Sequence, residues 1–134
     1  MQFYFKENNT GVAFLYYAVS DKELSYIVTH QYKQFPVRFF NKKYFCPMLS
    51  AEYAKRVASE RGNFPSDAHV THVVRFLMRV QSIKKYIHGD VTNVRSPIMI
   101  KPHELMNFNQ QIVGFIERVD TINFTDSTNQ LTSC

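Results

Sequence analysis

Apolar residues recur along the chain in runs that predict β-strands. Residues 12–19 are apolar at both alternating sets of positions, a pattern typical of a strand covered on both faces. Residues 69–80 carry valine, phenylalanine and methionine on one set of alternating positions and include Arg75 and Arg79 on the other. This strand therefore has one fully apolar face and one mixed face. A further strand is predicted over residues 112–119.

Between these strands the apolar residues adopt helical spacing. Ser20 and Glu23 match the S-x-x-E capping box that opens a helix, and an apolar stripe follows them. Ser50 is a favourable N-cap for a second helix, which Gly62 closes. The small-residue face of this second helix predicts that it lies close against a sheet. Pro102 begins a short third helix, where proline at the first position is well tolerated.

Two shorter apolar runs, residues 44–49 and 97–100, complete the predicted sheet. Pro47 interrupts the first of them, and because proline cannot donate to a ladder this strand is expected at an edge. The order of elements predicts a small α+β domain with a bent, mixed or antiparallel sheet of about five strands and two or three helices. Residues 1–124 are assigned to this domain, and the Ser-, Thr- and Asn-rich residues 125–134 to a flexible tail.

Length, composition and charge narrow the function classes. At 134 residues the chain is expected to form one domain, and its 12 Phe and 8 Tyr argue against disorder. Cys46 and Cys134 cannot build a disulfide framework, which favours a reduced intracellular setting. The sequence shows neither a secretory leader nor a run of about 20 apolar residues, so a cytoplasmic protein without membrane contact is predicted. The net charge of +5 raises the odds of an anionic partner, although its scattered distribution also fits a solvated surface.

Short motifs follow one another in a distinctive order between residues 15 and 114. They are Leu15-Tyr16-Tyr17-Ala18-Val19 with Glu23-Leu24, Phe45-Cys46-Pro47-Met48-Leu49-Ser50, Glu52-Tyr53-Ala54, Val73-Val74-Arg75-Phe76, and Ile100-Lys101-Pro102-His103-Glu104-Leu105 with Phe108-Asn109 and Ile112-Val113-Gly114. In this order they resemble a family of short bacterial proteins labelled "ADP-ribosylation/crystallin", and the last motif is the most distinctive. The layout of that family is in turn similar to a compact ADP-ribosyltransferase.

The resemblance implies an ADP-ribosyltransferase-like domain that binds NAD or ADP-ribose and is either active or catalytically degenerate. It implies that Glu104 is the catalytic residue, which steadies the ribose as the glycosidic bond breaks. It further implies that Tyr17 and Tyr53 contact nicotinamide or its ribose and that Arg75 faces phosphate. The chain departs from the family at Tyr17, where a basic residue would stand, and at Cys46, where the family has tyrosine. Tyr17 cannot supply a positive charge to a pyrophosphate.

Each of these residues also has a purely structural interpretation. The helix dipole favours a glutamate in a first turn, aromatic residues on strands usually belong to the core, and an arginine pair on a strand face is commonly solvated or salt-bridged. His69, His72 and His103 lack further ligands at metal-binding spacing, so no metal is predicted. The alternative function is a non-enzymatic module that binds a protein or, less favoured, a nucleic acid through a basic, aromatic-rich surface. A small toxin or effector is a third hypothesis.

Overall fold

The structure is a computed structural model that describes residues 11–37, 43–64, 68–90 and 92–124. Three strands form one antiparallel sheet in the order of the chain: β1 (Val12–Ser20), β2 (Val70–Arg79) and β3 (Ile112–Asn123). The described residues also form four α-helices: α1 (Asp21–Thr29), α2 (Ala51–Ser59), α3 (Val80–Ile83) and α4 (Leu105–Asn109). Two 3-10 turns, Arg61–Asn63 and Pro102–Glu104, follow α2 and precede α4.

The prediction of about five strands is wrong, because the sheet in the described residues has three. Residues 44–49 and 97–100 make isolated bridges instead of ladders. These bridges join Tyr16 with Met48, Phe45 with Ile100, and Ile87 with Ile98. Pro47 and Pro97 lie inside the two segments, and their missing N–H groups prevent continuous pairing. The sheet is wholly antiparallel rather than mixed, while the α+β class is retained.

Helix α1 begins at the predicted capping box. The Ser20 hydroxyl accepts from the Glu23 backbone N–H at 3.3 Å, and the Glu23 carboxylate accepts from the Ser20 N–H at 2.9 Å. After the helix, Gln31 and Tyr32 both take the left-handed conformation, with φ of 59° and 61°, and reverse the chain. The Tyr32 carbonyl then accepts from the N–H of Ile116 at 2.7 Å, which ties this turn to β3.

The sheet has two faces, and the main core lies on one of them. This first face carries Tyr17 of β1 and Phe76 of β2 and packs against Ile27 of α1, Ile83 of α3 and Phe108 of α4. Among the described helices, α2 alone packs on the second face, and it covers one end of that face. There Ala18 and Val73 of the sheet meet Ala54 and Ala58 of α2, all buried. The prediction that α2 lies close against a sheet through its small residues is confirmed.

Strand β3 is an edge strand of the sheet that the described residues form, and it departs from regular pairing at two places. The register with β2 shifts between Val73 and Val74 and again between Arg75 and Leu77. Gly114 lies in the second irregularity with φ of 76°, a conformation that glycine adopts without steric strain. Bulges and charged side chains are the usual means of protecting an edge from a further strand. The irregular pairing of β3 therefore makes strand addition there unfavourable.

Candidate functional site

Tyr17 and Arg75, two of the residues that the family resemblance singles out, lie on opposite faces of the sheet. Tyr17 points into the main core, where its ring centroid lies 5.8 Å from that of Phe35 and 4.4 Å from that of Phe45. Arg75 is on the second face, beside Phe14 and Glu117. The sheet therefore separates these two side chains.

Tyr53 and Glu104 occupy two further surroundings. Tyr53 is 50% exposed on α2, with the Arg56 guanidinium 5.9 Å from its ring centroid. The Glu104 carboxylate accepts from the Lys101 backbone N–H at 3.1 Å and so closes the 3-10 turn before α4. This is the structural role that a first-turn acid is expected to have. The structure thus does not bring the four residues together into one cleft.

A cluster of apolar and charged side chains lies on the second face. We call it the sheet patch and define it by residues of β1, β2 and β3 beyond the end that α2 covers: Val12, Phe14, Tyr16, Arg75, Leu77, Arg79 and Val113. All but the exposed Arg79 are partly exposed. Of the helices in the described residues, α1, α3 and α4 pack on the first face, and α2 reaches the patch only at Tyr16.

Arg75 organises the centre of the sheet patch. Its Nε donates to the Glu117 carboxylate at 2.7 Å, and its guanidinium lies 4.4 Å from the ring centroid of Phe14. The Glu117 hydrogen bond, aided by the charge of that carboxylate and by the Tyr16 hydroxyl, raises the pKa of Arg75, although desolvation opposes the shift. Register explains the arrangement, since Arg75 pairs with Tyr16 on one side and with Glu117 on the other. The Arg75 side chain is thus held between the Phe14 ring and the Glu117 carboxylate.

Arg79 is the second cation of the sheet patch and has a different environment. It ends β2, is exposed, and pairs in register with Val12. In the described part of the chain it has no ion-pair partner. Arg75 is neutralised by Glu117 at 2.7 Å, so Arg79 is the cation of the patch that remains available to a negatively charged group.

The alternation of strand residues predicts that Leu77 shares a face with the two arginines, whereas Phe14 and Glu117 were not predicted as residues of the site. Glu117 could not be assigned in this way because the irregular pairing of β3 shifts its register against β2. Cross-strand neighbours depend on that register.

A pocket of about 290 Å³ lies beside the edge of β1 and is open on one side. Its walls include Tyr17 of β1, Tyr44, Cys46 and Met48 of the segment bridged to β1, and Asn63 and Phe64 beyond α2. Of the four residues, Tyr17 is the one that lines this pocket. Burial raises the pKa of its hydroxyl, with smaller contributions from Glu23 and Cys46, so the phenol is protonated at neutral pH.

The raised pKa of Tyr17 makes stability depend on pH in the alkaline range. A tyrosine in the unfolded chain loses its proton near pH 10, whereas folded Tyr17 keeps it. This stabilising contribution is therefore complete below about pH 10, and above it the free energy of unfolding should fall by about 1.4 kcal/mol per pH unit because of this group. Tyr17→Phe should remove that part of the slope in urea titrations between about pH 9 and pH 11.

Tyr53→Phe is the matched control for this measurement, since it removes a hydroxyl from a half-exposed ring and leaves Tyr17 intact. It should keep the slope that Tyr17 causes. If Tyr17→Phe and Tyr53→Phe instead show the same alkaline slope, the proposed proton retention by Tyr17 is wrong.

Among the histidines weighed as metal ligands, His72 makes hydrogen-bond contacts through both ring nitrogens. It is buried on β2, its Nε2 lies 2.6 Å from the Asp21 carboxylate, and its Nδ1 lies 3.2 Å from the Thr121 hydroxyl. The contact joins the start of α1 to the centre of the sheet. Among the described ranges, no group of three histidine, cysteine, aspartate or glutamate residues could hold a metal ion.

Comparisons with known proteins add no further assignment. No family model, curated protein or solved structure matches this chain. No helix within residues 11–37, 43–64, 68–90 and 92–124 is long and apolar enough to cross a membrane. The resemblance to the ADP-ribosylation/crystallin family stays a prediction.

Proposed function

We propose that this chain is a non-catalytic binding domain that holds an acidic segment of another protein on the sheet patch. The observation that carries the proposal is the part of the second face that no helix of the described residues covers, where aromatic rings, aliphatic side chains and two arginines lie together. Apolar side chains gathered on an exposed face often mark an interaction site. Aromatic residues and arginine are also the residue types that most often dominate binding energy at protein interfaces.

The charges of the sheet patch define the chemistry of the partner. Arg79 is exposed and lacks an ion-pair partner among the described residues, and the whole chain carries a net charge of +5. A carboxylate on the partner would pair with Arg79, while apolar partner side chains would cover Phe14 and Leu77. The partner is therefore a peptide segment that combines aspartate or glutamate with aromatic or aliphatic anchors.

A nucleic acid fits the sheet patch less well. Affinity for a phosphate backbone comes from several cations that displace counterions together. Arg75 has its charge offset by Glu117 at 2.7 Å, which leaves Arg79 as the main phosphate-binding group of the patch. A single carboxylate of a peptide can pair with Arg79 alone, so these charges favour a protein partner.

The prediction of NAD or ADP-ribose binding has one supporting observation, which is that Tyr17 reaches the pocket. None of the described residues that line this pocket carries a positive charge for the pyrophosphate, and Tyr53, Arg75 and Glu104 are not among them. The sheet patch therefore supports the binding-module interpretation more strongly. A thermal-shift titration with NAD and ADP-ribose distinguishes nucleotide binding from the binding-module interpretation. A bound nucleotide would raise the melting temperature as its concentration exceeds Kd.

Selection from a phage-displayed library of random peptides tests the proposal. The wild-type chain should enrich peptides that combine acidic and apolar residues. Phe14→Ala and Arg79→Glu should each weaken binding of a selected peptide by about tenfold or more, as is typical of an interface hot spot. Arg95→Glu, a charge reversal at an exposed loop position, is the matched control and should leave the affinity unchanged.

Two results would overturn the proposal. One is enrichment of the same peptides by the wild type and by a chain carrying both Phe14→Ala and Arg79→Glu. The other is salt-sensitive binding of polydeoxythymidine without peptide selection, which would assign the patch to nucleic acid. Stabilisation by NAD that Tyr17→Phe abolishes would instead favour the nucleotide interpretation.

A further inference from the structure

The pocket beside β1 is separate from the sheet patch and is suited to a small molecule. Its walls come from three parts of the chain: β1, the bridged segment that contains Cys46 and Met48, and the residues at and beyond the end of α2. The backbone groups of Tyr16 and Met48 exchange two hydrogen bonds of 2.7 Å, which fix the bridged segment against β1. The pocket is therefore bounded by paired and packed elements on two sides.

The lining of the pocket favours a neutral, flat ligand. Tyr44 and Phe64 supply aromatic surface, and Met48 and Val57 supply flexible and branched apolar surface. No charged residue is found among the described residues that line it. A charged ligand would lose its hydration there without gaining an opposite charge, which disfavours ions.

Asn63 determines whether the pocket offers a ligand a hydrogen-bond donor or an acceptor. Its side-chain Nδ2 donates to the Val57 carbonyl at 3.0 Å and to the Glu60 carboxylate at 3.2 Å. An amide nitrogen has two donors, so both are used in the folded chain. The group that Asn63 can still offer is its carbonyl oxygen, which accepts hydrogen bonds. A matching ligand therefore donates an N–H.

The volume of the pocket sets the size of the ligand. An apolar cavity of roughly 150 Å³ accommodates a single benzene ring. The present pocket of about 290 Å³ has room for about two fused rings. We propose that it binds a neutral two-ring heteroaromatic compound whose ring N–H donates to the Asn63 carbonyl oxygen.

Protection of the Cys46 thiol tests this proposal with indole as the probe. In the 134-residue chain carrying Cys134→Ser, Cys46 is the one remaining cysteine, and it lies on the pocket wall. Indole should slow the alkylation of Cys46 by iodoacetamide in a saturable manner. The compound 1-methylindole, which has the same rings without the N–H, should protect with about three- to tenfold weaker affinity.

Two variants locate the effect. Asn63→Ala should weaken indole to the affinity of 1-methylindole and leave 1-methylindole unchanged. Val57→Phe should fill the pocket and abolish protection by both compounds, with circular dichroism as the check on folding. Absence of saturable protection in the parent chain would overturn the site, and equal affinity for the two compounds would overturn the hydrogen bond. Both of these results are measured on the parent chain, so they remain valid even if a variant fails to fold.

Discussion

Replacing Phe108 with alanine should lower the free energy of unfolding by about 3–5 kcal/mol. Phe108 is fully buried on α4, and its ring centroid lies 5.5 Å from those of Phe45 and Tyr86 and 5.9 Å from that of Phe76. The substitution removes apolar burial, edge-to-face contacts and the filling of the space between three other rings. Because small domains are stable by about 5–15 kcal/mol, urea unfolding should show a much lower midpoint.

Phe115→Ala is the matched control for this effect. Phe115 is 59% exposed on β3, and the Lys33 ammonium group lies 4.6 Å from its ring centroid. Its replacement should cost less than about 1 kcal/mol, the value of an exposed cation–π pair. Equal destabilisation by the two substitutions would contradict the position of the core on the first face of the sheet.

The second large effect concerns a buried polar contact. Asn109 of α4 accepts from the Phe35 backbone N–H at 2.9 Å and donates to the Phe35 carbonyl at 3.1 Å. Both residues are buried, so Asn109→Ala leaves two backbone groups without a partner and should cost about 2–4 kcal/mol. The same urea titration measures this loss, which should appear as a lower midpoint with an unchanged slope.

Asn107→Ala supplies the comparison for Asn109, since Asn107 is exposed on the same helix. Surface substitutions of this kind change stability by about 0.5 kcal/mol or less. A destabilisation by Asn109→Ala as small as that would mean that the loop before residue 37 is held by other contacts.

Local patterns in the sequence were sufficient to predict helix α1 and strand β2. The capping box of Ser20 and Glu23 depends on residues three apart, and the alternation along β2 depends on its own side chains. Neither requires knowledge of a distant partner. For this reason the start of the helix and both ends of the strand were predicted close to their observed positions.

The apolar runs at residues 44–49 and 97–100 were wrongly predicted as strands, because a residue can be buried without its backbone joining a β-ladder. Phe45, Ile98 and Ile100 are fully buried in the main core, which explains their apolar character. Their backbones nevertheless pair only at single bridges, so no strand results. Strand β3 extends further than predicted, to Asn123, because the outward positions of an edge strand can be polar.

Only the part of the sheet patch that lies on a single strand could be predicted from the sequence. Arg75 and Arg79 share a face because they are an even number of residues apart on β2. Their environments differ through cross-strand partners: Glu117 neutralises one, and no described acid pairs with the other. That difference follows from register and bulges, which are set by tertiary packing rather than by the local sequence.

Chemical-shift mapping of the isotope-labelled chain with a selected acidic peptide shows whether the sheet patch is the binding surface. The largest backbone amide changes should fall on Phe14, Arg75, Leu77 and Arg79, with the α4 amides little affected. Arg79→Glu should remove these changes at the same peptide concentration. Changes centred instead on Lys33 and Phe115, or on α4, would contradict the assignment of the sheet patch as the binding surface.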